Sequence, residues 1–303
     1  MLFGHRVEDG ELVGHRAVPN AWHAARGRVD VAYDRYPSQT DPEGHRALRE
    51  GLGHTPIANP FSLTLLCRDK IGTQRVLESA KLPTSEIVTD PADFQDALTD
   101  WGAAYLKPQF GSFGRGIHRV LPGDSTPATG PGAVAGHAEP LFLQRAIVPL
   151  EPWRGVACRV LCQRTGPDSW WVGPPVVRRS AEDWVVNAAR DAEVVPAQQM
   201  LPEQVQALTQ LSRRTAAALT AEPEGEWLVE VGVDLVIDRE GEPIVIEVNS
   251  RPRGRLEALA GQDPSAWMAA HVKACCRPLR TLAAAAVLLS APLPDHHIAH
   301  TRP

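Results

Sequence analysis

The segment EVGVDLVIDREGEPIVIEVNSRP, residues 230–252, reads as two apolar strands joined by the turn residues Arg239 to Glu242. Its second arm, PIVIEVN, is valine and isoleucine until Glu247 and Asn249 interrupt it. A tight hairpin centred between Glu240 and Gly241 sets Asp234 directly opposite Glu247, and the two-residue period puts Asn249 on Glu247's face. Two ionised carboxylates at cross-strand distance repel, at a cost of roughly several kcal/mol in an apolar setting unless a cation lies between them. Three oxygen donors imply a hard ion, Mg²⁺ or Mn²⁺, and so small a ligand set shares its metal with substrate phosphates. The competing reading is an exposed sheet edge with Glu247 paired to a nearby arginine, and a one-residue slip in register would dissolve the site.

Upstream, YLKPQFGSFGRGI, residues 105–117, places Lys107 at a strand end and Gly111, Gly114 and Gly116 in the loop behind it. Glycines let backbone N–H groups approach phosphate oxygens, and the lysine adds charge. The spacing is neither the Walker pattern nor the dinucleotide fingerprint, and the alternating IHRV after it is a strand, so no helix N-terminus anchors phosphate here. A glycine-rich hairpin folding over phosphates as a flap fits better, with Ser112 and Arg115 able to add side-chain contacts; a plain hairpin turn is the alternative.

The rest of the chain frames these two features. Residues 1–60 contain one plausible strand, RVDVAYDRYP, then a helical piece around PEGHRALREGLG, and TPIANP enforces an extended entry into the next segment. A helix is expected from Leu63 to Leu82, with Asp69 able to cap or start a turn; PADFQDALTDWG is helical, and AAYLKP is a strand. Residues 123–140 read as a loop, followed by the strand PLFLQRAIV, by the arms GVACRVLCQR and SWWVGPPVVRRS of a sheet hairpin, and by the amphipathic helix PEQVQALTQLSRRTAAALTA.

Composition narrows the function classes. The 303 residues, 43% hydrophobic, can bury one large core or two to three smaller ones, and the net charge of −5 lacks the basic face of a nucleic-acid binder. Five cysteines without zinc spacing fit reduced thiols in a cytosolic compartment, and Cys158 and Cys162 fit strand packing. The start of the chain lacks the apolar core of a signal peptide, and LAAAAVLLSA is too short to span a bilayer and reads as a packed helix. The eight tryptophans suit packing, and the eleven histidines show no ligand spacing.

Lys70, the YLKP strand with its glycine flap, FLQRAI, Arg159 and the 230–252 block together resemble the ATP-grasp superfamily in content and order, over about residues 61–280. YDRYP and LQRAI resemble the YheC/YheD-type, endospore coat-associated group. The resemblance implies an α+β ATP-grasp fold, two α+β lobes gripping ATP, with a small α/β domain at 1–60, the ATP-grasp domain at 61–280 and a C-terminal helix and tail at 281–303.

Residue by residue, it makes Lys70 and Lys107 phosphate ligands and residues 111–116, including Phe113, the flap. Arg145 and Ile147 would offer backbone groups to adenine, and Gln144 stands where many relatives carry an acidic residue. Asp234, Glu247 and Asn249 would hold two magnesium ions, with Glu247 bridging. VVRRSAEDWVVNAARDAEV resembles a segment of amino-acid ligases in which an arginine and then an asparagine precede paired glycines; Asn187 matches, but Asp191 and Ala192 stand at the glycines.

The activity implied is ATP-dependent joining of a small carboxylate to an amine through an acyl phosphate, with release of ADP and phosphate. Acyl transfer creates anionic centres that need fixed positive donors, and the candidates are Arg159, Arg179 and Arg251, with Arg178 an alternative to Arg179. A nucleotide-binding coat-assembly protein without turnover and a small-molecule kinase are the rival readings. No nucleic acid or membrane span is expected as a partner.

Overall fold

The computed structural model of the chain describes residues 2–36, 41–111, 114–131, 138–148, 151–186, 192–252 and 256–290. It divides into two compact units, Met1–Ala58 with Leu279–Pro303, and Asn59–Pro278.

The first unit opens with three strands, β1 (Leu2–Glu8), β2 (Glu11–Val18) and β3 (Ala21–Gly27), in an antiparallel meander. The sequence predicts one strand in this lobe, at RVDVAYDRYP, where the structure has only the two-residue β4 (Ala32–Tyr33). The meander gives little signal along the chain because its strands are half-exposed and carry histidine, arginine, alanine and glycine in place of a β-branched alternation. Its first turn does carry one: Asp9 and Gly10 both take positive φ, 50° and 74°, the Asp-Gly signature of a two-residue hairpin. Helix α1 (Pro42–Leu52) comes next, started by Asp41, whose side chain accepts from the Gly44 N–H, and β5 (Ile57–Ala58) pairs parallel with β4.

The second unit begins with α2 (Phe61–Arg68) and α3 (Lys70–Ser79). The single helix expected over this stretch is broken at Asp69, which leaves helical geometry to cap α3 by accepting from the Gly72 N–H at 2.9 Å. That break places Lys70 at the first position of a helix.

A first sheet is built from β6 (Ile87–Val88), β7 (Ala104–Pro108), β8 (His118–Val120), β9 (Thr129–Pro131) and β10 (Ala138–Arg145), in the order β6-β10-β7-β8 with β9 beside β10. Helix α4 (Phe94–Trp101) covers one face, packing Phe94, Ala97 and Leu98 against Leu106, Leu141 and Leu143. The loop expected at residues 123–140 therefore contains β9 and the start of β10.

The second sheet comprises β11 (Gly155–Gly166), β12 (Ser169–Val172), β13 (Val176–Ser180), β14 (Glu193–Pro196), β15 (Glu230–Ile237) and β16 (Pro243–Asn249). Its order is β14-β13-β11-β15-β16, with β12 beside β11, so the central strand β11 pairs with elements both near and far in sequence. After the short α5 (Ala197–Met200), α6 (Val205–Leu219) lays Leu208, Leu211 and Leu219 on one face of this sheet, against Val160, Val177, Val231, Val233, Leu235 and Val248. Cys158 and Cys162 lie in this core, where burial pushes both thiols up to about 12. The chain continues through α7 (Glu257–Gln262) into α8 (Pro264–Ser290), which includes the LAAAAVLLS run. No helix among the described residues is long and apolar enough to cross a membrane.

With one face of the second sheet committed to the apolar core, every second residue on β11, β13, β15 and β16 points to the opposite face. That face is polar.

Candidate active site

The hairpin of β15 and β16 pairs Asp234 with Glu247, as the sequence spacing anticipates. The route to that pairing differs. Near the turn the register is Ile237 with Pro243, and Gly241 adopts a φ of +87°. One extra residue between Val245 and Glu247 then shifts the register, so a β-bulge restores the carboxylate pairing that a uniform ladder from this turn would have missed. Asn249 pairs with Gly232 on the same face, and its amide nitrogen donates to Asp234 at 3.2 Å.

Two further strands bring arginines to this face. Arg159 on β11 stands directly opposite Asp234 and holds its carboxylate in a two-pronged ion pair, Nε to Oδ1 at 2.7 Å and Nη2 to Oδ2. Arg178 on β13 pairs with Ala157, which places it on Arg159's face, and its Nη2 also binds Asp234 Oδ1. Asp234 is almost fully buried, and although burial works to raise its pKa, the two guanidiniums hold it below the ordinary carboxylate value. Burial works to lower Arg159, but Asp234 and then Glu247 raise it above its ordinary value. The cations paired with Asp234 in this structure are thus guanidinium groups.

Strand alternation separates the two adjacent arginines of β13. Arg179 points the other way, to Glu193 at 2.7 and 2.8 Å, with its guanidinium 4.1 Å from the Trp153 ring centroid. The structure brings Arg178, not Arg179, to Asp234, and the spacing of the sequence could not choose between them because the register of β13 on β11 depends on Val177 facing the core. Arg251 is half-buried just beyond β16. Its neighbour Ser250 is anchored through its carbonyl by Asn59, whose Nδ2 also donates to the Glu230 carbonyl at 2.7 Å and whose Oδ1 accepts from the Val229 N–H. Nothing in TPIANP beyond its extended shape announces that role.

The first sheet supplies Lys107 and the loop that fastens Lys70, which begins α3. Lys107 on β7 is buried, with its ammonium on Gln144 Oε1 of β10. Burial drives its pKa down to about 8; Glu247 and Asp234 pull it up while Lys70 pushes it down, so all four charges share one neighbourhood. Lys70 Nζ donates to the Gly111 carbonyl at 3.1 Å, and its backbone N–H is fastened to the Gln109 carbonyl at 3.1 Å. The flap connects β7 to β8, with Gly114 and Gly116 at φ of 68° and 69°, a left-handed conformation that favours glycine, and Arg115 exposed between them. Ser112 and Phe113 of the flap, and Asn187, lie outside the described residues. At the end of β10, Arg145 has its N–H on the Glu86 carbonyl and its carbonyl accepting from Ser85 Oγ, so both backbone groups expected to face adenine already have partners; Ile147 is half-buried two residues on.

The donor set suits the implied ion. Asp234, Glu247 and Asn249 offer oxygens from one face, matching Mg²⁺, which takes one or two carboxylates and leaves positions for phosphate oxygens. Among the described residues no group of three or more histidine, cysteine, aspartate or glutamate side chains forms a self-sufficient metal cage.

Lys107 and the glycine loop of the first sheet, with Lys70 at the start of α3, thus share a neighbourhood with the carboxylates and arginines of the second sheet. Residues 138–269 match the family model for YheC/D-like ATP-grasp. Among solved structures, D-alanyl-alanine synthetase A from Vibrio cholerae aligns with a TM-score of 0.57 at 15% identity, over 90% of this chain and 84% of that one. A D-cycloserine synthetase aligns at 0.55 and 16% identity, over 86% and 84%. N5-carboxyaminoimidazole synthase from Aspergillus clavatus, in complex with ADP and 5-aminoimidazole ribonucleotide, aligns at 0.51 and 18% identity over 82% of this chain; the chain spans 58% of that structure's length, and 51% of the related ATP complex. The shared feature at these identities is the fold. No curated protein sequence matches the chain.

Proposed function

We propose that the protein is an ATP-dependent ligase that joins a carboxylate to an amine. The observation that carries the reading is the convergence of Lys70 and Lys107 from one side on Asp234 and Glu247 from the other, with Arg159 and Arg178 beside them. Two synthetases that share the fold, one for D-alanyl-alanine and one for D-cycloserine, support it by analogy.

In this reading Lys70 and Lys107 bind the triphosphate, and the backbone of the flap covers it. Asp234, Glu247 and Asn249 hold Mg²⁺, which neutralises charge on the phosphate oxygens when bound. A carboxylate oxygen of the donor attacks the γ-phosphorus, the bond to the β,γ-bridging oxygen breaks, and ADP leaves. The acceptor nitrogen then attacks the acyl carbon, a tetrahedral oxyanion collapses with loss of phosphate, and the nitrogen gives up a proton. Arg159, Arg178 and Arg251 are the donors available to the charge that builds up in these two steps, because fixed guanidiniums in a partly buried face need no reorganisation when that charge appears. The substrates are a small carboxylate and an amine, amino acids or peptides by analogy with the ligases of the same fold.

A pool of amino acids and small peptides with ATP and magnesium tests this. Phosphate release that requires both a carboxylate and an amine is the expected result, whereas tight ATP binding with no phosphate from any pool would reject it. One observation favours a second reading, nucleotide binding without turnover: both Asp234 oxygens are already engaged by guanidiniums, with which a metal must compete. Calorimetry distinguishes the two, since nucleotide binding heat that leads to no product belongs to the second.

A further inference from the structure

Just after Arg178, the chain leaves the second sheet and touches the first. Ser180 Oγ accepts from the Glu182 and Asp183 N–H groups at 3.2 and 3.0 Å, turning the segment back over the start of β11. Gly155 allows that close approach, for a Cβ there would lie 2.5 Å from the Asp183 carbonyl oxygen and 2.6 Å from Val186 Cγ1. From this seat Trp184 reaches the flap hairpin. Tyr105 Oη donates to the Trp184 carbonyl at 3.1 Å, and the Arg119 guanidinium lies 4.1 Å from the Trp184 ring centroid. Tyr105 and Arg119 are directly opposed across β7 and β8, so they form one receptor on the face that also carries Lys107.

We propose that Trp184 is a positioning residue, a latch that ties the arginine strand β13 to the flap hairpin β7–β8 and so sets how long a bound nucleotide stays. The functional half of this inference rests on reading the face between the sheets as the nucleotide site. Each arm of the latch ends two residues from a charged group of that site: Tyr105 from Lys107, and Ser180 from Arg178. A change in seating is therefore transmitted over one pleat on either side. The strength is suited to release, because one ring–guanidinium contact plus one neutral hydrogen bond shift an equilibrium by about tenfold, far less than the ladders within each sheet.

The test uses the full-length chain with a fluorescent ATP analogue and magnesium, following dissociation by stopped flow. Trp184→Ala and Arg119→Ala, which remove the same ring–guanidinium contact, should each release the analogue about threefold faster, Tyr105→Phe, which removes the hydrogen bond to the Trp184 carbonyl, about threefold, Trp184→Ala/Tyr105→Phe about tenfold, and Trp184→Ala/Arg119→Ala no faster than Trp184→Ala alone. Trp184→Phe, which keeps a ring under Arg119, should recover most of the parent rate. A Trp184→Ala rate within about twofold of the parent, or single effects that multiply in Trp184→Ala/Arg119→Ala, would overturn the proposal.

Amide hydrogen exchange without nucleotide gives an independent readout. Trp184→Ala, or Tyr105→Phe if the alanine variant does not fold, should speed exchange in β8 and in residues 182–186 while leaving β15 and β16 unchanged. If the parent binds no analogue, the nucleotide reading fails while the exchange comparison still decides whether the latch exists. Unchanged exchange in β8 rejects it.

Discussion

Two polar pairs face each other across β11 and β15, two pleats apart on one side of the same ribbon: Arg159 opposite Asp234, and Gln163 opposite Glu230. The second pair is sealed. Gln163 and Glu230 have no exposed surface, Gln163 Nε2 donates to Glu230 at 3.0 Å and to the Ala274 carbonyl of α8 at 2.6 Å, and Arg277 of α8 donates to Gln163 Oε1 at 2.8 Å while stacking 3.7 Å from the Trp171 ring. At the first pair Arg159 keeps a quarter of its side chain exposed, and Lys107 and Glu247 add charge on the side where α8 covers the second. The same strand geometry thus yields a structural clamp where a helix closes over it and, in the proposed function, a chemical site where an arginine stays partly exposed.

The largest expected effect breaks the open pair. Asp234→Asn should lower ATP turnover by about 10²–10³-fold, the scale for loss of a fixed electrostatic group, and leave two guanidiniums without their counter-charge, destabilising the fold by about 3–5 kcal/mol. Phosphate release and urea denaturation measure the two losses; unchanged turnover would mean that Asp234 is a clamp like Glu230. At the sealed pair the balance should invert. Gln163→Leu removes the amide that bonds Glu230, the Ala274 carbonyl and Arg277, costing about 1–3 kcal/mol in denaturation, while turnover per folded molecule stays within about twofold.

Gly232 separates the pairs on the same face. An added Cβ would lie 2.9 Å from Pro252 Cβ but at an ordinary 3.9 Å from Arg159 Cδ, so Gly232→Ala should destabilise by about 1–2 kcal/mol by pushing Pro252 away, and weaken turnover to the extent that the adjoining Arg251 shifts with it. Parallel losses from Gly232→Ala in both assays would show that the two pairs are coupled through the backbone; a stability loss alone would show that they are not.

The smallest effect is a pH dependence. With its pKa lowered to about 8 by burial, Lys107 is charged below that pH and neutral above it, and bound phosphate favours the charged form. Affinity for the nucleotide should therefore fall as pH rises through about 8, by up to tenfold per pH unit, and Lys107→Arg should flatten the profile because arginine stays charged. Stability changes in the opposite sense. A lysine depressed in the folded state leaves the unfolded chain binding more protons, so the fold gains stability as pH rises from about 8 towards the ordinary lysine value of 10.5.

The features legible along the chain and those that were not divide by range. The turn residues Arg239 to Glu242 and the valine–isoleucine alternation specify a hairpin whose arms are only a few residues apart, so Asp234, Glu247 and Asn249 were legible as one face. The glycine run after Lys107 was legible for the same reason, because a loop of that composition can only turn. The bulge that completes the hairpin was not, since a one-residue insertion costs little locally and is chosen by the packing of Val245 and Val248 into the core. The Asp9–Gly10 turn is a local signal, yet it stays faint because the strands it joins lack an apolar face.

The sequence by itself determined the chemistry on offer: oxygen donors on adjacent strands, lysines beside a glycine loop, and arginines in reserve. Only the tertiary structure decided which of them meet, placing Arg178 rather than Arg179 on Asp234, closing α8 over Gln163 and Glu230, and setting Trp184 against Arg119. The reason is that β11 takes its neighbours from residues 176–180 and 230–237, and pairing over such separations is fixed by which faces bury together in the core, a quantity no local spacing carries.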